Sequence, residues 1–368
     1  MHRNTNPLYP LRFLAALTVV LYHYTPKSIQ PNVNFIIKNG NEAVNFFFFI
    51  SGFVMILANS NFLKKDSATF SKWDFYIKRI ARIYPLYLFA IIVLAAFHYL
   101  IKPIDTNTVK YRLIFESLGI QRWLYAGSFN YPGWTLSSEF FFYALFPFTF
   151  LLMKKNYSLY KKQVIGYFLL ALIITGILFK IEHHEGLSPV LKKIVSILYL
   201  HPIFKISIFL LGTICGKVFI DNKLIFLQNN RNSLLCVVFC FITIFLTKQL
   251  LPVDHYLLGG GILAIAYFLL VLAINSFDKD KTHIFNNKLI ILSGEVSYGI
   301  YILQYPVYIY FTNFIHPVTD SLSLGIFILV LISVSIVTYY TIEIPAKTLI
   351  LNLYKRNKTI KNSTFSSL

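Results

Sequence analysis

The sequence predicts an all-α, polytopic membrane protein of about ten transmembrane helices with both termini in the cytoplasm. Three observations predict it. Of the 368 residues, 56% are hydrophobic and 13% charged, and the mean hydropathy is +0.62, a composition suited to lipid as solvent. Apolar runs of near-spanning length recur along the whole chain at 8–25, 43–60, 83–101, 132–153, 164–180, 203–220, 233–251, 256–276, 288–313 and 322–346, and a bilayer asks for about 20 mostly apolar residues per helix. They are continuous and do not alternate polar with apolar, which points to helices and away from a barrel. Finally, with both termini inside, 23 of the 34 Lys and Arg residues fall on the cytoplasmic side of this ten-run frame, as short-loop membrane proteins require. The net charge of +19 is then largely a surface facing anionic lipid, and no nucleic-acid partner is expected.

The first run follows a basic start, but it continues Tyr22, His23, Tyr24, Thr25, Pro26 with no small-residue cleavage pattern, so it is expected to stay as a helix. Arg12 and His23 stand at its two ends. At about 1.5 Å and 100° per residue they are ~16 Å apart along the axis and only ~20° apart around it. Two readings follow: a snorkelling anchor at one interface with an imidazole at the other, or a polar stripe lining a path across the membrane. In the second, His23 is a natural general base at the outer end.

The second run holds Ser51 and Gly52, which by themselves read as helix-packing residues. Before the third run, "WDFYIKRIARIYPLY" carries Lys78, Arg79 and Arg82. Arg79 and Arg82 are three apart and share a helix face, and a guanidinium fork suits phosphate oxygens, although a plain cytoplasmic cuff of positive charge reads the same way. The fourth run opens "YPGWTLSSEFFFYALFP" and puts Glu139 about two turns inside the span. No basic residue lies within a turn of it, so its partner is expected from another helix or from water.

The middle runs carry less chemistry. Cys215, Cys236 and Cys240 all fall within spans and are expected to pack as small apolar residues. Adjacent side chains of "IEHHEG", 181–186, diverge on a helix, so no metal is expected there. "GGG", 259–261, lacks the Lys-Ser/Thr of a phosphate loop. His98, His201, His255 and His316 form no pattern. The ninth run contains "SYGIYILQYP", with Ser297, Tyr298, Tyr301 and Gln304, and the tenth ends at Glu343 and Pro345. Residues 1–353 are read as one membrane domain, and 354–368 as a loose, short basic cytoplasmic tail.

Taken together, the Arg12 to His23 pair, "SGF" in the second run, "RIARIYP", "WTLSSE" and "SYGIYILQYP" resemble, in order and spacing, the acyltransferase-3 family of membrane O-acyltransferases. The resemblance covers about residues 8–350 and implies transfer of an acyl group, usually acetyl, from cytoplasmic acyl-CoA to a hydroxyl of an extracytoplasmic glycan, lipid-linked saccharide or related acceptor. By motif position it implies that Arg12 and His23 are the essential pair and that Glu139 is the acid of the fourth-span motif. Lys78, Arg79 and Arg82 would hold the donor, and Ser51, Trp134, Tyr301 and Gln304 would position substrate. Acyl-CoA is a donor substrate and no resident cofactor is expected. Many relatives have histidine where this sequence has Gln304, which can exchange hydrogen bonds but cannot relay a proton as imidazole does. Some relatives append an esterase-like domain, and this sequence resembles the stand-alone kind. The expected location is a bacterial cytoplasmic membrane. A carrier for lipid-linked sugars or small solutes is the rival class, against which stands the lack of two matching halves.

Overall fold

A computed structural model describes residues 5–30, 40–64, 70–102, 106–124, 127–182, 184, 186–222, 225–250, 261–277 and 283–365. Fifteen α-helices run through them, and there is no strand among the described residues. They are α1 (Leu8–Tyr24), α2 (Gly40–Ala58), α3 (Ser60–Lys64), α4 (Lys72–Leu100), α5 (Thr106–Ser117), α6 (Gln121–Leu124), α7 (Trp134–Lys155) and α8 (Tyr157–Glu182). There follow α9 (Pro189–Tyr199), α10 (Pro202–Asp221), α11 (Asn230–Leu250), α12 (Ala264–Ile274), α13 (Lys288–Phe314), α14 (Ser321–Thr338) and α15 (Ile344–Phe365).

Each apolar run maps to one of these helices where it is described. Among the described residues, seven helical stretches are long and apolar enough to cross a membrane: α2, α4, α7, α8, α9 with α10, α11, and α14 with α15. The other three are α1, with 17 residues, α12, with 11, and α13, which is 27 residues long but carries Lys288 and Glu295.

Local chemistry sets the helix ends. The Ser71 hydroxyl accepts from the Asp74 N–H, the Asn287 side chain from the Leu289 N–H, and Asp320 forms a reciprocal cap with Ser323. His201 caps α10 by accepting from the Ile203 N–H, which gives a histidine without a sequence pattern a structural task. Three helices carry a proline in their interior, at Pro85, Pro147 and Pro306. Each frees a carbonyl one turn back, and such a group inside lipid must find another donor.

The core forms where α2 meets α10. A Cβ on Gly52 would stand 2.0 Å from the Phe209 carbonyl oxygen, and one on Gly212 would stand 2.0 Å from that of Phe49. Only glycine permits this approach of two backbones, the small-residue contact that drives helix association in lipid. Around this pair pack α1, α7, α8 and α12. On the periphery, α11 is only 11% buried and presents Leu235, Phe239 and Phe241 outward, as a lipid-facing helix does. Cys215, Cys236 and Cys240 are free thiols on helices, in keeping with a packing role.

Two expectations change. The positive segment before the third apolar run is no loop: α4 begins at Lys72, so Arg79 and Arg82 sit on the helix itself. Residues 354–365, read as a loose tail, continue the last helix. Tyr354 Oη donates to Asp74 Oδ1 at 2.6 Å, and Lys358 Nζ lies 2.9 Å from the same carboxylate, so the basic extension is fastened to the start of α4. The segment 251–260, with Gly259 and Gly260, lies outside the described residues, as do His183 and Glu185 of "IEHHEG". No group of three potential metal ligands occurs among the described residues.

Candidate active site

Helical phase brings residues of all five motifs to one cavity. A space of about 120 Å³ is lined by Arg12 from α1, Ser51 from α2, Arg79 and Arg82 from α4, Thr135, Glu139 and Tyr143 from α7, and Ser297, Tyr298 and Tyr301 from α13. Arg79 and Arg82 enter together because they are three residues apart. Glu139 accepts a hydrogen bond from Tyr143 Oη at 2.8 Å, and that hydroxyl lies 3.2 Å from Ser51 Oγ. Its charged neighbours are Arg12, Arg82 and Arg79, so the partner expected from another helix is supplied by two of them.

The three guanidinium groups are balanced by three carboxylates. Arg82 Nη2 lies 3.7 Å from Glu295 Oε2 on α13, longer than the 2.7–2.9 Å of a tight charge-assisted bond. Glu343 sits in the π-helical turn Tyr339–Glu343, buried, with Arg82 its nearest positive neighbour. Arg79 carries a buried Nε that meets no hydrogen-bond acceptor among the described residues. With the Arg82 to Glu295 contact this long, the cavity can take an anion without first breaking a strong pair.

The remaining candidates lie elsewhere. Lys78, one residue out of phase with Arg79, is exposed and outside the cavity. Trp134 packs edge to face on Phe48 with ring centroids 6.3 Å apart, and Arg122 stands over its ring at 5.7 Å. Gln304 is fully buried and donates to the Tyr301 carbonyl at 2.7 Å, while its Oε1 has no partner among the described residues. Ser51 joins the cavity through Tyr143, whereas Gly52 serves packing.

His23 is at the far end of α1, outside the cavity. Its ring meets Tyr22 and Tyr131 edge to face, each with centroids 4.7 Å apart. Glu139 therefore lies level with Arg12 and away from His23. Between the two levels stand Thr135, one turn from Glu139 toward His23, and Tyr301, which is electrostatically coupled to both Glu139 and Tyr131. Tyr131 in turn meets the His23 ring edge to face.

Three participants escaped the sequence reading. Tyr143 had a signal, since it stands four residues after Glu139 on the same face. Glu295 had one as well, as an acid well inside an apolar run. Tyr131 had none beyond adjacency to a motif.

With this geometry in place, comparison with known proteins is informative. The sequence profile of the acyltransferase-3 family, described as an acyltransferase domain, matches residues 11–342. The acyltransferase MdmB of Streptomyces mycarofaciens is 32% identical over 157 residues, 39% of this chain and 39% of its own length. The peptidoglycan O-acetyltransferase OatA of Listeria monocytogenes is 26% identical over 325 residues, 81% of this chain and 48% of its own. The putative acetyltransferase ORF330 of Acidianus two-tailed virus is 25% identical over 311 residues, 82% and 83% of the two chains. The matches thus span less than half of the MdmB and OatA chains. No solved structure matches this chain. An arginine-lined cavity on a bundle of apolar helices and a profile match over nearly the whole length lead to one conclusion: the chain belongs to the acyltransferase-3 family.

Proposed function

We propose that the protein is a membrane O-acyltransferase of ten spans with both termini cytoplasmic, moving an acyl group, acetyl by preference, from cytoplasmic acyl-CoA to a hydroxyl of an extracytoplasmic glycan, lipid-linked saccharide or related acceptor. The observation that carries it is the cavity in which Arg12, Arg79 and Arg82 converge from two helices beside a buried carboxylate. The arginines hold the phosphates of CoA through forked, charge-assisted bonds. The acyl arm then extends along α1 toward His23.

His23 accepts the proton of the acceptor hydroxyl. The oxygen attacks the thioester carbonyl, the C–S bond breaks, and the proton passes to the departing thiolate, so that an ester and free CoA leave. Glu139 acts on the donor side of this reaction: it balances the arginines and is held by Tyr143. Tyr301 and Thr135 offer hydroxyls between the two levels. OatA is named for O-acetylation of peptidoglycan, which supports an envelope glycan as the class of acceptor.

The test uses purified full-length protein in liposomes with labelled acetyl-CoA inside. Release of free CoA together with labelled ester on glycan, lost in His23→Ala and Arg82→Ala, is the expected result. Full turnover in both variants would overturn it, and movement of solute with no thioester turnover would favour a carrier.

A further inference from the structure

Outside the cavity, the most elaborate polar cluster centres on Glu116, at the end of α5. This carboxyl is fully buried in a connecting segment, where carboxylates are almost always exposed. It accepts hydrogen bonds from the Ser128 hydroxyl, from the Phe129 N–H at 2.9 Å and from the Asn130 N–H at 3.2 Å. Its own carbonyl accepts from Tyr87 Oη on α4 at 2.7 Å, and Gln121 donates to that hydroxyl at 3.0 Å and to the Gly133 carbonyl at 2.9 Å. Gly133 leaves the room: a Cβ there would stand 2.7 Å from Glu116 Oε1.

The segment so held is fastened at a second point. Asn130 Nδ2 donates to the Ile302 carbonyl at 3.0 Å. Ile302 is four residues before Pro306, so this is the carbonyl that the proline leaves without its helical donor. Residues 128–130 are therefore pinned to both α5 and α13, and the next residue, Tyr131, is the one whose ring edge meets His23.

We propose that Glu116 is a positioning residue for His23: its buried carboxyl fixes the 128–130 segment, which places Tyr131 against the imidazole and sets the ring's orientation toward the acceptor. The catalytic value of this placement rests on the role given to His23 above, whereas the placement itself does not. Glutamine cannot replace the carboxyl, because its NH2 group would face an N–H donor. Tyr131 is half exposed and its ring edge touches one side of the imidazole, so loosening the segment uncovers His23.

The test uses the full-length protein in detergent. Carbethoxylation of each histidine by diethyl pyrocarbonate is followed by peptide mass spectrometry, and CoA thiol release from acetyl-CoA is measured in parallel. Glu116→Gln and Tyr131→Ala are each expected to speed modification of His23 several-fold, with His316 as an unchanged internal control. The double variant is expected to be no faster than either single one, since both act through one contact. Thiol release falls about tenfold or more in both. Ser128→Ala, which removes one of the three bonds, gives an intermediate effect and covers the case in which Glu116→Gln fails to fold. Unchanged His23 modification in Glu116→Gln or Ser128→Ala, or single effects that multiply in the double variant, would overturn the proposal. Full thiol release in His23→Ala overturns the catalytic reading alone, and the modification rates then still report whether Glu116 governs the His23 contact.

Discussion

Three guanidinium groups share one cavity inside a bundle of apolar helices, where an isolated one would cost several kcal/mol. Glu139, Glu295 and Glu343 offset them, yet the Arg82 to Glu295 contact is long, so binding capacity remains. Arg82→Lys keeps the charge and loses the fork, and it should weaken acetyl-CoA binding about tenfold by calorimetry, with Arg82→Ala weaker still. Lys78→Ala should bind within about twofold of the parent, because Lys78 is exposed and rim charges contribute little. Equal losses in Arg82→Ala and Lys78→Ala would show a diffuse basic surface in place of a site. At this scale the sequence was informative wherever charge stood inside or beside an apolar run: Arg79 and Arg82, three apart, share one face, and Arg12 and Glu139 line the same cavity. Helix rise already puts Glu139 about 10 Å deeper than His23, but whether tilt or offset between the two helices closes that gap is something no single-helix pattern encodes.

Elements show a parallel division. The positions of the long helices were legible from hydropathy, but the fastening of α15 to Asp74 and the clamp at Glu116 depend on contacts between distant segments. The α2 to α10 contact gives a direct prediction. Gly52→Ala puts a methyl group 2.0 Å from the Phe209 carbonyl oxygen, so the helices must separate. A loss of about 1–3 kcal/mol is expected, visible as a lower melting temperature in detergent, while Gly166→Ala, which meets nothing within 4 Å, should leave it unchanged. The Glu116 clamp predicts a pH dependence. Burial pushes its carboxyl up from 4.5 to about 7, against the opposing effect of the three donated bonds and of Arg112. Tyr87 Oη, on the other packed element, donates to the backbone carbonyl and leaves the carboxyl free. A raised pKa means the fold favours the protonated group. Its contribution is complete below about pH 4.5 and is lost as pH rises through about 7, by up to about 3 kcal/mol. Melting temperature should therefore fall between pH 5 and 8 by more in the parent than in Glu116→Gln, which cannot titrate; parallel curves for the two would rule this out.

For the whole molecule, orientation decides whether the chemistry is possible, because acyl-CoA is made on one side of the membrane. The distribution of Lys and Arg predicts an inside position for the Arg12 end of α1, and the structure fixes which other segments lie at that end. A Cβ on Gly40, at the start of α2, would meet the Tyr22 ring near the His23 end, so α2 runs back toward the arginine end. Glu116, at the end of α5, reaches the segment beside His23, while Trp73, in the first turn of α4, stands about two turns before Arg79 and about two and a half before Arg82. Two exposed side chains on opposite ends then serve as reporters: Trp73, 73% exposed, and Tyr111, 66% exposed. In a background with Cys215, Cys236 and Cys240 changed to Ala, Tyr111→Cys should react with a membrane-impermeant maleimide on intact cells, and Trp73→Cys only after permeabilisation. The reverse pattern would place the arginine cavity on the outer side, away from cytoplasmic acyl-CoA, and the donor assignment would fail even though the fold and the family would stand.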